Sequence, residues 1–416
     1  MTLRDYLDTL KGKRVAVTGI GVSNRPLLKL LLEAGIHVTA CDKKDRAALG
    51  QLVDDLEKIG CKLCLGPDYL EGLDHDVIFR TPGLHPRFLE AAVARGSAVT
   101  SEMEVFFDVC PCPILAVTGS DGKTTTTTII ARLLEAAGYT VHLGGNIGHP
   151  LLAEADSIRP TDWAVVELSS FQLLTMKKSP HISVLTNLAP NHLDVHTDME
   201  EYIRAKAAIF AYQSPEDCAV FNLDNEITRK LSQSATGKRF YFTDTSTAPN
   251  PCGCFIREEA IWYRDEIGER MVLPLPDILL PGRRNVENYM AAICAVQGLV
   301  PDETIRRFAR TFGGVEHRIE LVRELDGVKY YNDSIGTSPT RTMACLDSFD
   351  QKLIIIAGGY DKGVPFTQLG MAMVEKVNVL ILTGDTAPAI KRAVEEAEGF
   401  AGSGLRVLET ADLASA

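Results

Sequence analysis

The sequence is short of positive charge: 43 lysines and arginines stand against 55 aspartates and glutamates, for a formal net charge of −12. With a pI near 5.3, nucleic acid and anionic membrane are excluded as main partners. An anionic ligand must instead be caught by local devices, such as helix N-termini and a few placed lysines or arginines. No apolar run approaches the ~18 residues of a membrane span. The N-terminal MTLRDYLDTLKGKR also lacks the apolar core of a signal peptide. Both absences give the expectation of a cytoplasmic protein with no membrane partner. Ten cysteines are present, yet no second CxxC follows Cys61 and Cys64 at zinc-ribbon spacing. Cytosolic disulfides are rare, so the cysteines read as small buried residues and free thiols.

Two nucleotide fingerprints are incomplete. Gly19 and Gly21 give the GxG of a dinucleotide motif, but Asn24 occupies its third glycine position. Tight strand-to-helix packing explains the two glycines as well as a degenerate nucleotide site does. The usual P-loop has a glycine where Val117 stands, which leaves the shorter TGxxGKT form.

That shorter form organises the chain. Pro113 to Val117 is an apolar run that reads as a buried strand, Gly119 to Gly122 is a tight turn, and Lys123 onward is amphipathic at helical spacing. Backbone N–H groups in such a turn and the dipole of the following helix make an anion site. Gly119, Ser120, Asp121, Gly122, Lys123, Thr124 and Thr125 are its expected residues. Lys123 can reach terminal phosphates and the Thr124 hydroxyl can ligate Mg²⁺. Thr124 to Thr128 are β-branched and poor helix formers, so a run of them at a helix start implies that hydroxyls are needed there. The expected ligand is ATP or GTP.

At 416 residues the chain exceeds one core, and two to three domains are expected. Residues 13–42 read strand, turn, helix, strand, with Asp42 ending the second strand where a carboxylate can meet a ribose hydroxyl. The unit repeats with DVIFRTPG and a helix from Pro86 to Arg95, giving a Rossmann-like first domain. PCPI (111–114) links it to a P-loop domain of parallel-type strands, followed by short antiparallel-type strands over 252–278 and two helices. From Gly313 a hairpin and a further βα series form a third domain. The fold class is α/β with three domains: Rossmann-like, P-loop with a small antiparallel sheet, and Rossmann-like.

Several residues carry chemistry. Glu167 ends the run WAVVE, where a buried carboxylate requires a partner such as Mg²⁺. His192 and His196 lie in NHLDVH; their spacing permits zinc, but a lone histidine beside phosphates fits a second Mg²⁺ equally. Lys206, in EEYIRAKAAIF, reads by itself as a solvated or amphipathic helical lysine. Asn146 sits in GGNIG, Asn285 and Asn288 lie one turn apart at a helix start, and His317-Arg318 accompanies NDSIGTSPT with Asp333. Capping accounts for one asparagine of the pair but not readily for both.

Taken in order, TGSDGKTTTTT, GGNIG, VVELSSFQL, NLAPNHLDVH, AKAAIF, LPGRRNVEN, EHRIE and YYNDSIGTSPTRT resemble the Mur ligases. The ELSSFQL and NDSxxTSP pair resembles the branch that joins D-glutamate to UDP-N-acetylmuramoyl-L-alanine in peptidoglycan precursor synthesis. The resemblance spans residues from about 13 to 410. It implies a UDP-sugar domain (1–112), an ATP domain (113–312) and a ligase domain (313–416), with ATP and Mg²⁺ as cofactors and a monomeric chain. It also implies roles. Lys123 holds phosphates, Thr124 and Glu167 one Mg²⁺, and His192 a second; Lys206 becomes carbamylated and supports Mg²⁺. Lys123, His192 and Lys206 form the implied catalytic group. Asn285, Asn288, Arg318 and Asp333 meet ATP, and Asn146 meets the muramic acid. Ser23, Asn24, Asp42, Lys43, Thr81, Pro82 and Gly83 line the uridine nucleotide pocket, and Lys362 lies near D-glutamate. The family's last helix and strand, with a SPACAS-like segment, have no counterpart before Ala416, so weak or absent D-glutamate binding is expected.

Overall fold

The computed structural model describes residues 1–189, 196–245, 252–361 and 363–416. It divides into two compact units, Met1–Pro274 with Glu287–Phe308, and Leu275–Val286 with Ala309–Ala416.

The first unit holds two sheets. One is five-stranded and parallel, in the order β3–β2–β1–β4–β5. Its strands are β1 (Val15–Thr18), β2 (Val38–Asp42), β3 (Lys62–Leu65), β4 (Val77–Arg80) and β5 (Ala98–Thr100). All four residues of β1 and of β4 are buried, as expected of strands covered on both faces. The strand order reverses between β1 and β4, and a crevice at such a switch point is where open α/β sheets bind ligands. Gly19 follows β1 with φ +86, and a Cβ there would lie 3.0 Å from Thr81 Cβ, so this close approach needs glycine. The helix expected from Pro86 to Arg95 is instead a 3₁₀ turn, Pro86–Leu89, followed by Glu90–Ala94. Leu89, at φ −109 and ψ 2, leaves helical geometry and separates the two.

The other sheet is nine-stranded, ordered β14–β13–β12–β11–β10–β9–β6–β8–β7. These are β6 (Ile114–Thr118), β7 (Val141–Gly145), β8 (Trp163–Glu167), β9 (Ile182–Leu185), β10 (Cys218–Asn222), β11 (Lys238–Thr243), β12 (Gly253–Arg257), β13 (Ala260–Arg264) and β14 (Glu269–Pro274). β6 to β11 pair in parallel, β12 joins β11 in parallel, and β13 and β14 add antiparallel. The strands over 252–278 thus extend the main sheet. β6 lies between β9 and β8, a second switch point, and the glycine turn leaves its C-terminal end. One core cluster runs through both sheets, joining Val17 and Phe79 to Phe106, Leu151, Ala116 and Val166.

The second unit holds a hairpin of β15 (Glu320–Leu325) and β16 (Val328–Asn332), and a parallel sheet of β17 (Leu353–Gly358), β18 (Val377–Thr383) and β19 (Arg406–Glu409). Helices Pro339–Leu346, Thr367–Lys376 and Ala387–Glu395 share its core with Leu353, Ile355, Leu380 and Leu382. Among the described residues, no helix is long and apolar enough to cross a membrane.

Candidate nucleotide site

The helix Lys123–Ala136 starts from Gly122, which is left-handed at φ +77. A Cβ on Gly122 would meet Asn288 Oδ1 at 2.4 Å, and one on Gly119 would fall 1.9 Å from Thr186 Oγ1. Both positions have the positive φ that favours glycine, and a side chain at either would push Asn288 or Thr186 aside. The segment after β9 buttresses the turn: Ser120 N donates to Asn187 O (2.9 Å), Asp121 N to Asn187 Oδ1 (2.9 Å), and Thr186 Oγ1 to Asp121 O (2.6 Å). Ser120 Oγ meets Tyr202 Oη at 2.8 Å. Lys123 Nζ folds back onto the carbonyls of Gly119 (2.9 Å) and Ser120 (2.8 Å). A cation and a helix N-terminus thus flank one turn, the arrangement that attracts phosphate.

The threonine run divides its labour. Thr124 Oγ1 donates to Glu167 Oε2 at 2.7 Å, and Thr126 Oγ1 to Asn288 Oδ1 at 3.1 Å. Thr127 and Thr128 instead donate back to the carbonyls of Lys123 and Thr124 within their own helix. Those two hydroxyls satisfy local backbone, as threonines inside helices do, and the need for hydroxyls applies to only part of the run. Thr125 is partly buried on the same first turn.

Glu167 ends β8 and is 1% exposed. Its second oxygen accepts from Asn146 Nδ2 at 2.7 Å, so the Gly-rich turn after β7 and the Lys123 helix converge on one carboxylate. Both bonds come from neutral donors. A hydroxyl and a carboxylate at the mouth of a phosphate turn form an all-oxygen donor set, which suits a hard divalent cation such as Mg²⁺.

Lys206 corrects its sequence reading. It is 2% exposed on the helix Met199–Ala211, not solvated, and its Nζ donates to Thr118 Oγ1 at 3.0 Å. Burial lowers its pKa well below the usual lysine value; the nearby Lys123 charge adds to this and Glu167 opposes it. The apolar run around it, KAAIF, is the signal that could have predicted this. His196 is also buried, with Nε2 2.8 Å from Ser170 Oγ and its ring stacked on Phe171. Among the described residues, no group of three or more His, Cys, Asp or Glu could hold a metal ion. His192 and Lys362 lie outside the described residues.

Asn285 and Asn288 both lie on the Arg283–Ala295 helix. Asn288 packs on the phosphate turn through Thr126, whereas Asn285 Nδ2 donates to Pro281 O at 2.7 Å. At the first switch point, Asn24 is 2% exposed and its amide donates to Thr18 O and Gly19 O, closing the turn. Asp42 accepts from Ile20 N (2.7 Å) and Lys44 N (2.9 Å), so its carboxylate braces the glycine turn. Ser23, Lys43 and Gly83 are exposed and Thr81 and Pro82 half-buried around it. In the second unit, Arg318 lies between His317 (φ +63) and Ile319 (φ +44), two non-glycine residues in left-handed conformation. A β-branched residue there is strained. The segment is held by Ile319 N to Asp333 Oδ1 (3.2 Å) and by Asn332 Nδ2 with His317 Nδ1 (2.9 Å). Burial raises the Asp333 carboxyl above its ordinary value. Sequence reasoning missed Asn187, Tyr202 and Thr186, which hold the turn from elements remote in the chain.

The fold and this site define a P-loop nucleotide-binding α/β protein with a buried carboxylate beside the phosphate turn. Residues 117–296 match the model of the Mur ligase middle domain, and residues 317–416 that of the Mur ligase glutamate ligase domain. A UDP-N-acetylmuramoylalanine–D-glutamate ligase of Acetivibrio thermocellus is 49% identical over 406 residues, covering 97% of this chain and 86% of that protein. One of Ruminiclostridium cellulolyticum is 48% identical over 94% of this chain and 84% of its own length. In fold, the chain is similar to a UDP-N-acetylmuramate–alanine ligase from Thermotoga maritima, with a TM-score of 0.57 at 17% identity, over 96% of this chain and 91% of that one. The chain belongs to the Mur ligase family and groups there with the UDP-N-acetylmuramoylalanine–D-glutamate ligases.

Proposed function

We propose that this chain joins D-glutamate to UDP-N-acetylmuramoyl-L-alanine at the expense of ATP, as a cytoplasmic monomer in peptidoglycan precursor synthesis. The observation that carries the reading is the Glu167 carboxylate, fixed between Thr124 and Asn146 beside the glycine turn that Lys123 flanks. A carboxylate is a poor electrophile, so an oxygen of the L-alanine carboxylate attacks the γ-phosphorus of ATP. The bond to the β-phosphate oxygen breaks, ADP leaves, and an acyl phosphate remains. The D-glutamate amine then attacks the acyl carbon, loses a proton and expels phosphate.

The chain's own part is positioning and charge neutralisation. N–H groups of the turn and Lys123 Nζ, released from the Gly119 and Ser120 carbonyls, bind the phosphates. Asn288 braces Gly122, while Asn285, Arg318 and Asp333 are assigned to ATP by resemblance. Asn146 orients the muramic acid, and Ser23, Asn24, Asp42, Lys43 and Thr81 to Gly83 take the uridine nucleotide. Thr124 and Glu167 would hold one Mg²⁺, and His192 with carbamylated Lys206 a second; bound, these ions offset phosphate charge. A lysine kept neutral by burial is a competent nucleophile for CO₂, which fits the carbamylation of Lys206. Lys362 is assigned to D-glutamate.

The test is phosphate release with UDP-N-acetylmuramoyl-L-alanine, ATP and Mg²⁺, with and without D-glutamate. Release that requires all the substrates is expected. A folded sample that takes up no ATP, or releases phosphate regardless of D-glutamate, would overturn the reading.

A further inference from the structure

The turn between β4 and the 3₁₀ segment, Thr81 to Leu84, is gripped from both sides by elements of the nucleotide site. On one side stands Arg80, the last residue of β4, only 1% exposed. Its Nη1 donates to the carbonyls of Leu84 (2.8 Å), Pro82 (3.2 Å) and Thr81 (3.4 Å), wrapping the turn around the guanidinium. Its Nη2 crosses to the nine-stranded sheet, donating to Phe171 O (2.9 Å) and Thr175 Oγ1 (3.1 Å). Phe171 lies in the short helix Ser170–Leu173, which starts three residues after Glu167. A planar guanidinium holds five N–H donors in a fixed fork, which suits it to hold two segments in one geometry.

His85 holds the other side. Its Nδ1 accepts from Arg87 N at 3.2 Å, so Nε2 carries the proton and donates to Glu201 Oε1 at 3.1 Å. His85 and Glu201 are 9% and 15% exposed. Glu201 is on the helix that also carries Tyr202, bonded to Ser120 of the phosphate turn, and Lys206, bonded to Thr118. Its other oxygen accepts from Thr197 N at 2.7 Å and lies 3.4 Å from His196 Nδ1, and His196 in turn reaches Ser170. The two grips therefore meet again at the helix Ser170–Leu173.

We propose that Arg80 and His85 are positioning residues that couple the uridine-nucleotide crevice to the phosphate site, so that a bound UDP-sugar tightens the hold on nucleoside triphosphate. This rests on the reading of Thr81 to Gly83 as part of the UDP-sugar pocket. A ligand that orders the turn fixes, through Arg80, the helix after Glu167 and, through His85, the helix bearing Tyr202 and Lys206. The coupling is reciprocal by thermodynamic necessity.

Calorimetry with a non-hydrolysable ATP analogue and Mg²⁺, with and without saturating UDP-N-acetylmuramoyl-L-alanine, tests it. Wild-type protein is expected to bind the analogue at least ~5-fold more tightly when the UDP-sugar is present. Arg80→Met and His85→Ala should lower that factor to less than about twofold while leaving the affinity for the analogue alone unchanged. His85→Gln, whose amide can still donate to Glu201, should restore it. Variants that keep the wild-type factor, or that weaken both ligands in proportion, would overturn the inference, as would a wild type that binds both ligands independently. If Arg80→Met fails to fold, the His85 pair decides. A wild type that binds neither ligand would instead overturn the functional reading.

Discussion

The nine-stranded and three-stranded sheets are built from the same kind of sequence and end in different states. ILAVT in β6 is buried at every position, with Leu115, Ala116 and Val117 at 0% exposure. LIIIAG in β17 is as apolar, yet Ile354 is 68% exposed and Ile356 47% exposed, while Leu353, Ile355 and Ala357 pack on the helices of that unit. A continuous apolar run marks a strand of a parallel sheet. Whether both its faces are covered depends on how many helices reach it. The difference shows also in ionisable groups. The doubly covered unit holds Glu102, Arg80 and Lys206 in its interior, each pushed towards its neutral form by burial.

The largest expected effect separates chemistry from packing. Lys123→Ala should lower turnover by on the order of 10²–10³ or more and leave the thermal transition in place. Normal turnover would dismiss the phosphate turn as the working site. Next, Leu115→Ala should cost about 2–5 kcal/mol in denaturant unfolding, as for a large-to-small change in a closed core. Glu102 on the helix Glu102–Val109 accepts from Leu152 N at 2.9 Å and has its pKa raised to about 7 by burial. Because the folded state keeps this proton longer, stability is full below the unfolded value of about 4.3 and is lost as pH rises through 7. Glu102→Gln should flatten that slope and gain on the order of 1–3 kcal/mol above pH 7. Equal slopes in both proteins would rule out Glu102 as its source.

Lys206 has the opposite sign. Its folded pKa is depressed, so stability rises with pH up to the ordinary lysine value of about 10.4. In CO₂-free buffer, Lys206→Met should melt above wild type at pH 7, with the two converging near pH 10. A Met variant that melts lower throughout would refute the buried neutral amine. Smallest is Ile356→Thr on the open face of β17, which should change stability by less than about 1 kcal/mol. A cost near that of Leu115→Ala would erase the contrast between the sheets.

Much of the site was legible because its parts are contiguous. The turn from Gly119 to Thr124 is a strand, a glycine bend and a helix start written in one stretch, and its backbone donors follow from local geometry alone. Glu167 was legible from its place at the end of an apolar strand. The burial of Lys206 was not read, because a lone lysine at helical spacing fits a wet face equally well; Thr118, whose hydroxyl its Nζ meets, arrives with another element, while Tyr202 lies one turn earlier on the same helix. Thr127 and Thr128 misled, since a hydroxyl can serve its own helix as readily as a ligand.

The sequence by itself determined the order of strands and helices, the glycine bend, and the residue types able to hold phosphate and a hard cation. Only the tertiary structure decided that Asn146 and Thr124 close on one carboxylate, and that Asn288 turns to the phosphate loop. It likewise decided that Arg80 and His85 tie one turn to two helices, and that one apolar sheet is sealed while the other keeps an open face. Local propensities act over a few residues, whereas these contacts join segments between 21 and 162 residues apart. Such pairings depend on which faces the packed layers bring together.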